Sequence, residues 1–119
     1  MGHYSQVIED LKEPTRSLRH LGADAWKGFA EMHRAAVADG VVPARTKELI
    51  ALAIAVVKEC DGCIAYHASA AARLGATEDE VAEVLGVALL MGGGPASVWA
   101  PRAFDAYREF AALRVAKAS

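Results

Sequence analysis

The residues best suited to chemistry lie in one short segment, Glu59-Cys-Asp-Gly-Cys-Ile-Ala-Tyr-His67, which contains both cysteines of the chain. If the segment is helical, Cys60, Cys63 and His67 share one face, because three residues turn a helix by about 300° and seven by about 700°. A thiolate is the nucleophilic form of cysteine, and a helix N-terminus or a nearby histidine lowers the thiol pKa. Two thiols this close can also form a disulfide without large backbone movement. The pattern predicts a redox-active dithiol on a helical scaffold.

Other kinds of C-x-x-C site fit the sequence less well. A c-type haem site needs histidine directly after the second cysteine, where this chain has Ile64. A thioredoxin fold places the motif after a strand, whereas the residues before Cys60 have the pattern of a buried helix. A zinc site needs four ligands, which the two cysteines, His67 and a carboxylate could supply only through the fold. Zinc binding and an inert pair of buried cysteines stay open as alternatives.

Glu48 is the next candidate, because it precedes the motif in an otherwise apolar stretch. In one straight helix, Glu48 and Cys60 would lie about 18 Å apart at 1.5 Å per residue. A chain reversal near Glu59 to Gly62 instead packs two antiparallel helices and brings Glu48 beside His67. The carboxylate would then orient the imidazole, and the imidazole would take the proton of the Cys63 thiol. The alternative is an ordinary first-turn acid favoured by the helix dipole.

Helices must position these residues, and the alanine content favours helices. The chain has 26 alanines among 119 residues, and alanine has the highest helix propensity. The stretch from Ala44 to Gly94 contains no proline, and its apolar segment Leu49 to Val57 predicts an enclosed central helix. The fold is therefore predicted to be all-α, with one domain over residues 1–119 and a central antiparallel helical hairpin.

The remaining helices are predicted from periodic apolar residues between cap and stop signals. In chain order they are a short helix around Ser5 to Leu11, an amphipathic helix over Asp24 to Asp39 stopped by Gly40, a segment from Cys63 to Leu74 stopped by Gly75, a helix from the capping box of Thr77 and Glu80 to Gly92, and a last helix that Pro101 kinks or begins. Asp61 and Gly62 are expected to interrupt the chain between the two hairpin helices. Pro43 is expected in the first turn of the hairpin's first helix.

Charge and hydropathy exclude two classes of partner. The 13 Lys and Arg residues against 15 Asp and Glu give a formal net charge of -2, which is the wrong balance for binding phosphate backbones. The longest apolar run, Leu49 to Val57, is well short of the roughly 20 residues of a membrane-spanning helix. The first residues lack the pattern of a secretory signal, so a cytoplasmic location is expected. Neither a nucleic acid nor a membrane is expected as a partner.

The pattern Glu48-x11-Cys60-x2-Cys63-x3-His67, followed by Gly75-Ala-Thr-x-x-Glu80 and the Gly92-Gly93-Gly94 turn, closely resembles the alkylhydroperoxidase AhpD-like branch of the carboxymuconolactone decarboxylase family. The resemblance extends over about Ala30 to Phe110. It implies an all-α domain of about six to seven helices that assembles as a homotrimer or homohexamer. It also implies that a dithiol, with no cofactor or metal, reduces a peroxide and is reset by an external dithiol.

The resemblance assigns a role to each site residue. Cys63 would be the peroxidatic thiolate, and Cys60 the resolving cysteine that meets the reductant. Glu48 with His67 would form the proton relay. Attack on the peroxide gives a sulfenic acid at Cys63, which condenses with Cys60 to a disulfide. The characterised alkylhydroperoxidase has a second histidine between its cysteines, where this chain has Asp61-Gly62. This departure leaves room for a thiol–disulfide role on a small disulfide substrate.

Two other functions are kept as alternatives. One is a cofactor-free lyase of the decarboxylase type, in which Glu48 and His67 act as base and acid. The lactone decarboxylase branch generally lacks the cysteine pair, which argues against this function. The other is a non-catalytic oligomeric module. Two nearby residues are expected to pack rather than react: His33 as a core or interface histidine, and Tyr66 as a helical aromatic.

Overall fold

Helices make up nearly all of the chain and are joined by short connections. The computed structural model describes residues 2–118, and over that range the chain forms six α-helices and no strand. They are α1 His3–Leu21, α2 Ala23–Val37, α3 Ala44–Val57, α4 Asp61–Arg73, α5 Glu78–Gly92 and α6 Ala96–Ala118. The all-α prediction is confirmed. Within the same range, no helix combines the length and the apolar character needed to cross a bilayer.

The core is built around α4, which packs against α1, α3 and α6. Its inward positions are small, and Ala65, Ala68 and Ala71 are fully buried. Alanine at these positions lets neighbouring helices approach closely while larger side chains fill the space between them. The largest fully buried side chains are Leu52, Val56, Ile64 and Val81. The buried alanines therefore allow the neighbouring helices to pack closely against α4.

The helices α3 and α4 form the predicted antiparallel hairpin, joined by residues 58–60. The end of α3 is closed by two backbone hydrogen bonds, from Glu59 N to Val56 O at 3.0 Å and from Cys60 N to Ala55 O at 3.1 Å. This is a Schellman pattern, and Glu59 takes its left-handed position with φ of 55°. Asp61 and Gly62 were the expected interruption, but they lie in the first turn of α4. The break comes earlier because Glu59 supplies the reversed conformation.

The N-terminal helix is much longer than the segment Ser5 to Leu11 predicted for it. It runs from His3 to Leu21 with Pro14 inside it. The first turn of α1 is anchored to α6, because the Glu109 carboxylate accepts hydrogen bonds from Tyr4 N at 3.2 Å and Ser5 N at 2.7 Å. Local side-chain pairs, such as Glu9 with Lys12 at 2.8 Å, add modest support along its surface.

Two predicted apolar faces are not enclosed within the chain. The amphipathic helix over Asp24 to Asp39 corresponds to α2, but none of its residues is buried. The helix α3 was expected to be surrounded, yet Ile50, Ile54 and Val57 are exposed along one side. Periodicity identifies an apolar face, but it does not say whether the same chain covers that face.

The cap and stop signals of the second half are largely confirmed. Thr77 Oγ1 accepts from Glu80 N at 3.1 Å, and Glu80 Oε1 accepts from Thr77 N at 2.9 Å, which is the predicted capping box. Gly75 follows the C-cap Leu74 of α4 and takes φ of 84°. Pro43 immediately precedes α3 rather than lying in its first turn. Pro101 does not begin the last helix, because α6 already starts at Ala96 and contains the proline.

Candidate active site

The two cysteines lie at the start of α4 and are joined by a disulfide, with their Cα atoms 5.3 Å apart. Cys60 is the N-cap of the helix, and its Sγ accepts a hydrogen bond from Cys63 N at 3.2 Å. Cys63 lies in the first turn, where unpaired backbone N–H groups favour a negative charge. Cys63 is exposed and Cys60 is half-buried. The pair can therefore form a disulfide, and the start of α4 favours a negative charge near both sulfurs when the pair is reduced.

Glu48 and His67 meet across the hairpin. Glu48 Oε1 lies 2.6 Å from His67 Nδ1, as expected for a residue before the bend facing one after it. Glu48 is 3% exposed, and it lies beyond the first turn of α3. The alternative of an ordinary first-turn acid therefore does not account for it. A buried carboxylate is costly unless it is paired, and His67 provides that pairing.

The hydrogen bond decides which nitrogen of His67 is available. When Nδ1–H donates to the Glu48 carboxylate, Nε2 is the nitrogen left to accept a proton. Cys63 and His67 are four residues apart on α4, so their side chains lie on the same face of the helix. The arrangement places an oriented base on the face that carries the exposed sulfur. The described contact is therefore a carboxylate that orients an imidazole, with the cysteine pair one turn away on the same helix.

The described residues contain no arrangement suited to a metal ion. Over residues 2–118, no group of three or more His, Cys, Asp or Glu side chains is placed to hold one. The zinc alternative needed Cys60, Cys63, His67 and a carboxylate around one ion. In the structure the sulfurs bond each other and the imidazole bonds Glu48, so these four groups are engaged in other contacts.

A second imidazole comes close to the site from α2. The ring centres of His33 and His67 are 6.4 Å apart, with their planes tilted by 36°. The sequence interpretation placed His33 in a core or an interface; its side chain is exposed within the chain, so the core position is wrong and the interface position stays a prediction. Tyr66 is also exposed rather than packed. A second histidine beside the pair of Glu48 and His67 was not foreseen, because nothing in the local pattern links α2 to α4.

Sequence reasoning also missed the residues that contact the start of α4 from the N-terminal helix. Tyr4 Oη donates a hydrogen bond to Asp61 Oδ1 at 3.0 Å, and His3 Nε2 lies 3.6 Å from Asp61 Oδ2. Burial and then the hydrogen bond to Asp61 raise the pKa of the Tyr4 phenol well above its ordinary value. The phenol therefore remains protonated and acts as a donor. Tyr4 is 57 residues away from Asp61 in sequence, and no local sequence pattern predicts the contact.

Known proteins with similar sequences include two bacterial relatives. An uncharacterized protein of Cupriavidus necator is 47% identical over 85 residues, which are 69% of this chain and 75% of the relative. Uncharacterized protein 4 of the cox locus of Paracoccus denitrificans is 39% identical over 82 residues, which are 69% of this chain and 74% of that protein. Both relatives support shared ancestry over most of the chain.

Two solved structures have the same fold. A carboxymuconolactone decarboxylase family protein from Legionella pneumophila superposes with a TM-score of 0.88 at 39% identity, over 91% of this chain and 96% of that one. A family member from Thermotoga maritima, for which a part in the antioxidative response has been suggested, gives 0.82 at 27% identity over 96% and 97%. The sequence model of the carboxymuconolactone decarboxylase family matches residues 23–118, from α2 to the end of α6. With its C-x-x-C pair at the start of α4, which is consistent with the AhpD-like branch, the chain belongs to the carboxymuconolactone decarboxylase family.

Proposed function

We propose that the chain is a cytoplasmic dithiol peroxidase that reduces alkyl hydroperoxides through Cys60 and Cys63. The observation that carries the proposal is the disulfide at the N-terminus of α4, with the hydrogen bond between Glu48 and His67 one turn further along. The resemblance to the AhpD-like branch supports the same chemistry. The antioxidative part suggested for the Thermotoga neighbour points in this direction as well.

The first step is attack of a Cys63 thiolate on the peroxide. His67 Nε2 takes the thiol proton, and the Glu48 carboxylate stabilises the resulting imidazolium through Nδ1–H. A bond forms between sulfur and the terminal peroxide oxygen while the O–O bond breaks, so the sulfur is oxidised and the peroxide reduced. The leaving alkoxide takes the proton from His67. The products are an alcohol and a sulfenic acid on Cys63.

The second and third steps use Cys60. The Cys60 sulfur attacks the sulfenic acid, an S–S bond forms, and the oxygen of the sulfenic acid leaves as water. An external dithiol then returns the pair to its reduced form by thiol–disulfide exchange. We assign its attack to Cys60, the resolving cysteine that the resemblance places toward the reductant, so that Cys63 departs as the thiolate. The greater exposure of Cys63 supports its role in meeting the peroxide.

The direct test is a count of thiols after oxidation. Reduced protein is mixed with an alkyl hydroperoxide such as cumene hydroperoxide, and free thiols are titrated in the quenched sample. Each chain should lose two thiols and consume one molecule of peroxide. The Cys60→Ser variant should stop at a sulfenic acid on Cys63, which a dimedone adduct detects by mass. The Cys63→Ser variant should consume no peroxide above the uncatalysed rate.

Three outcomes would overturn the proposal. No thiol loss beyond that of the Cys63→Ser variant would exclude the peroxidase. Thiol loss with a small disulfide but not with a hydroperoxide would replace it with a disulfide reductase. Lyase activity that the double variant Cys60→Ser and Cys63→Ser keeps in full would point to the lyase alternative, in which Glu48 and His67 act without the cysteines.

We also propose that the chain assembles as a homotrimer or homohexamer. The support for assembly is the exposed apolar row of Ile50, Ile54 and Val57 on α3 together with the uncovered face of α2, which a second copy of the chain could cover. Light scattering should give a mass of three or six chains. The Ile54→Glu variant should lower that mass, and Leu21→Glu, at the exposed end of α1, should not. A wild-type mass of one chain would contradict assembly.

A further inference from the structure

The residues between the two cysteines are both in contact with α1. Asp61 accepts the hydrogen bond from Tyr4 Oη and lies beside His3. Gly62 lies so close to α1 that a Cβ built on it would come within 3.3 Å of Leu11 Cδ1. A side chain at Gly62 would therefore require Leu11 to move. Both residues that separate the cysteines therefore contact α1.

The helix α1 lies outside the segment that the family model matches. That match begins at residue 23, whereas α1 runs from His3 to Leu21. Its first turn is anchored a second time, by the hydrogen bonds from Tyr4 N and Ser5 N to the Glu109 carboxylate of α6. Tyr4 is thus held between α4 and α6 at 2% exposure. The contact with Asp61 belongs to a fixed part of α1 and not to a loose terminus.

The Asp61 carboxylate lies in the same first turn as Cys63. A negative charge there repels a Cys63 thiolate, whereas the N–H groups of the helix start stabilise it. The groups that face the carboxylate from α1 are the Tyr4 phenol and the His3 imidazole. From α6, Arg102 and Asp105 act on the phenol with opposite signs. The hydrogen bond and the ion pair of Asp61 thus both come from α1.

We propose that α1 tunes the reactivity of the dithiol: Tyr4, assisted by His3, holds the Asp61 carboxylate on the α1 side of the first turn of α4 and so limits its repulsion of a Cys63 thiolate. Tyr4 and His3 are positioning residues, because they act on the sulfur through Asp61. Residues one and three of a helix point in different directions, so the carboxylate can be held away from Cys63 without distorting the turn. The inference rests on the proposed redox function of the pair.

The test is the pH profile of alkylation of Cys63 by iodoacetamide. It is measured in the full chain carrying Cys60→Ser, so that one thiol reports. Tyr4→Phe should raise the midpoint of the profile by about half a pH unit, because the charge on Asp61 is then less well dispersed. Asp61→Asn should lower the midpoint by a similar amount. The combined variant should have the midpoint of Asp61→Asn alone, because no charge is left for Tyr4 to hold.

Tyr107→Phe is the matched control. It removes another buried phenol hydrogen bond, from Tyr107 Oη to Ala76 O at 2.5 Å, beyond the opposite end of α4. Its midpoint should equal that of the parent, and circular dichroism should show all variants folded. The inference is overturned if Tyr4→Phe leaves the midpoint unchanged, if Tyr107→Phe moves it equally, or if Tyr4→Phe still moves it when Asp61→Asn is present.

The failure of this inference can be told apart from the failure of the proposed function. Alkylation midpoints are measured without peroxide, so they decide the role of α1 even if no peroxide is consumed. With both cysteines present, equilibration against dithiothreitol gives a second readout. Tyr4→Phe should make the disulfide harder to reduce, because the thiolate released on reduction is less stable. An unchanged equilibrium together with an unchanged midpoint would remove α1 from any tuning role.

Discussion

The hairpin of α3 and α4 and the N-terminal pair of α1 and α2 are held in place in different ways. The hairpin contributes fully buried apolar side chains, such as Leu52 and Ile64, whereas α2 has no buried residue and α1 has one, Tyr4. Yet the N-terminal pair places Tyr4, His3 and His33 beside the site. The core fixes the pair of Glu48 and His67, and the outer helices contact the site through polar and ring contacts.

This difference implies a division of labour. Substitutions in the hairpin should change stability and chemistry together, because the same packing that folds the chain aligns Glu48 with His67. Substitutions in α1 and α2 should change either the stability of the fold or the reactivity of the site, but not both. Four predictions test this comparison, ordered by the size of the expected effect.

The largest effect is expected in the core of the hairpin. Leu52→Ala should lower the free energy of unfolding by about 3 to 4 kcal/mol, because it leaves a cavity beneath α4. Met32→Ala on α2, where the side chain is 62% exposed, should change it by less than about 0.5 kcal/mol. Urea unfolding followed by circular dichroism measures both. Equal losses would mean that α2 is as much a part of the core as α3.

The next effect is on the chemistry of the relay. Glu48→Gln keeps a hydrogen-bond acceptor beside His67 but removes the charge that stabilises the imidazolium. The rate of thiol oxidation by peroxide should fall by about 100-fold. The rate is followed by stopped-flow tryptophan fluorescence, with Glu83→Gln on the exposed side of α5 as the control. A loss of less than about threefold would mean that the pair is structural.

A smaller effect is expected at the anchor of α1. Burial acts to raise the pKa of Glu109, but hydrogen bonds from Ser5 and Tyr4 outweigh it and lower the pKa. Because the folded pKa lies below the unfolded value of about 4.3, the stabilisation is present above that pH and is lost as the pH falls through the folded value. Glu109→Gln should cost about 1 kcal/mol at pH 7, and the difference from wild type should shrink in acid.

Urea titrations at neutral and acidic pH measure this difference. Glu9→Gln, on the exposed surface of α1, provides the comparison because it carries the same change of charge. A wild-type advantage that stays the same from neutral pH to the most acidic pH at which the chain is still folded would argue against the Glu109 carboxylate as the anchor.

The smallest effect is expected from α2. A centre-to-centre distance of 6.4 Å leaves His33 and His67 without a direct hydrogen bond, so His33→Ala should slow thiol oxidation by less than about threefold. His20→Ala, in the last turn of α1, controls for loss of an exposed imidazole. A loss of tenfold or more at His33 alone would show that α2 supplies a catalytic group, and the two regions would no longer differ.

Local signals in the sequence were sufficient for much of the second half of the chain. The capping box of Thr77 and Glu80 spans three residues, and Gly75 ends α4 by its own conformation, so each can be found in a short window. The contact between Glu48 and His67 spans 19 residues, but it follows once the hairpin is recognised, because two antiparallel neighbours bring fixed positions together.

The remaining features have no local signal. The contact of Tyr4 with Asp61 spans 57 residues and comes from a stretch with weak apolar periodicity. Glu59 in a left-handed conformation carries no stop signal, since glycine or asparagine usually occupies that position. Periodicity found the apolar face of α2 but could not tell that this chain leaves it uncovered.

The connection between α3 and α4 also has a consequence for how the chain can change in length. Cys60 N donates the hydrogen bond that ends α3, and Cys60 Sγ accepts the hydrogen bond that caps α4. One residue therefore ends the first helix and begins the second. Inserting or deleting one amino acid between Val57 and Asp61 would separate these two tasks and rotate Cys63 away from its partner. Length variation should therefore be tolerated in residues 38–43 and not between α3 and α4, so the number of residues that leads into the cysteine pair should stay constant.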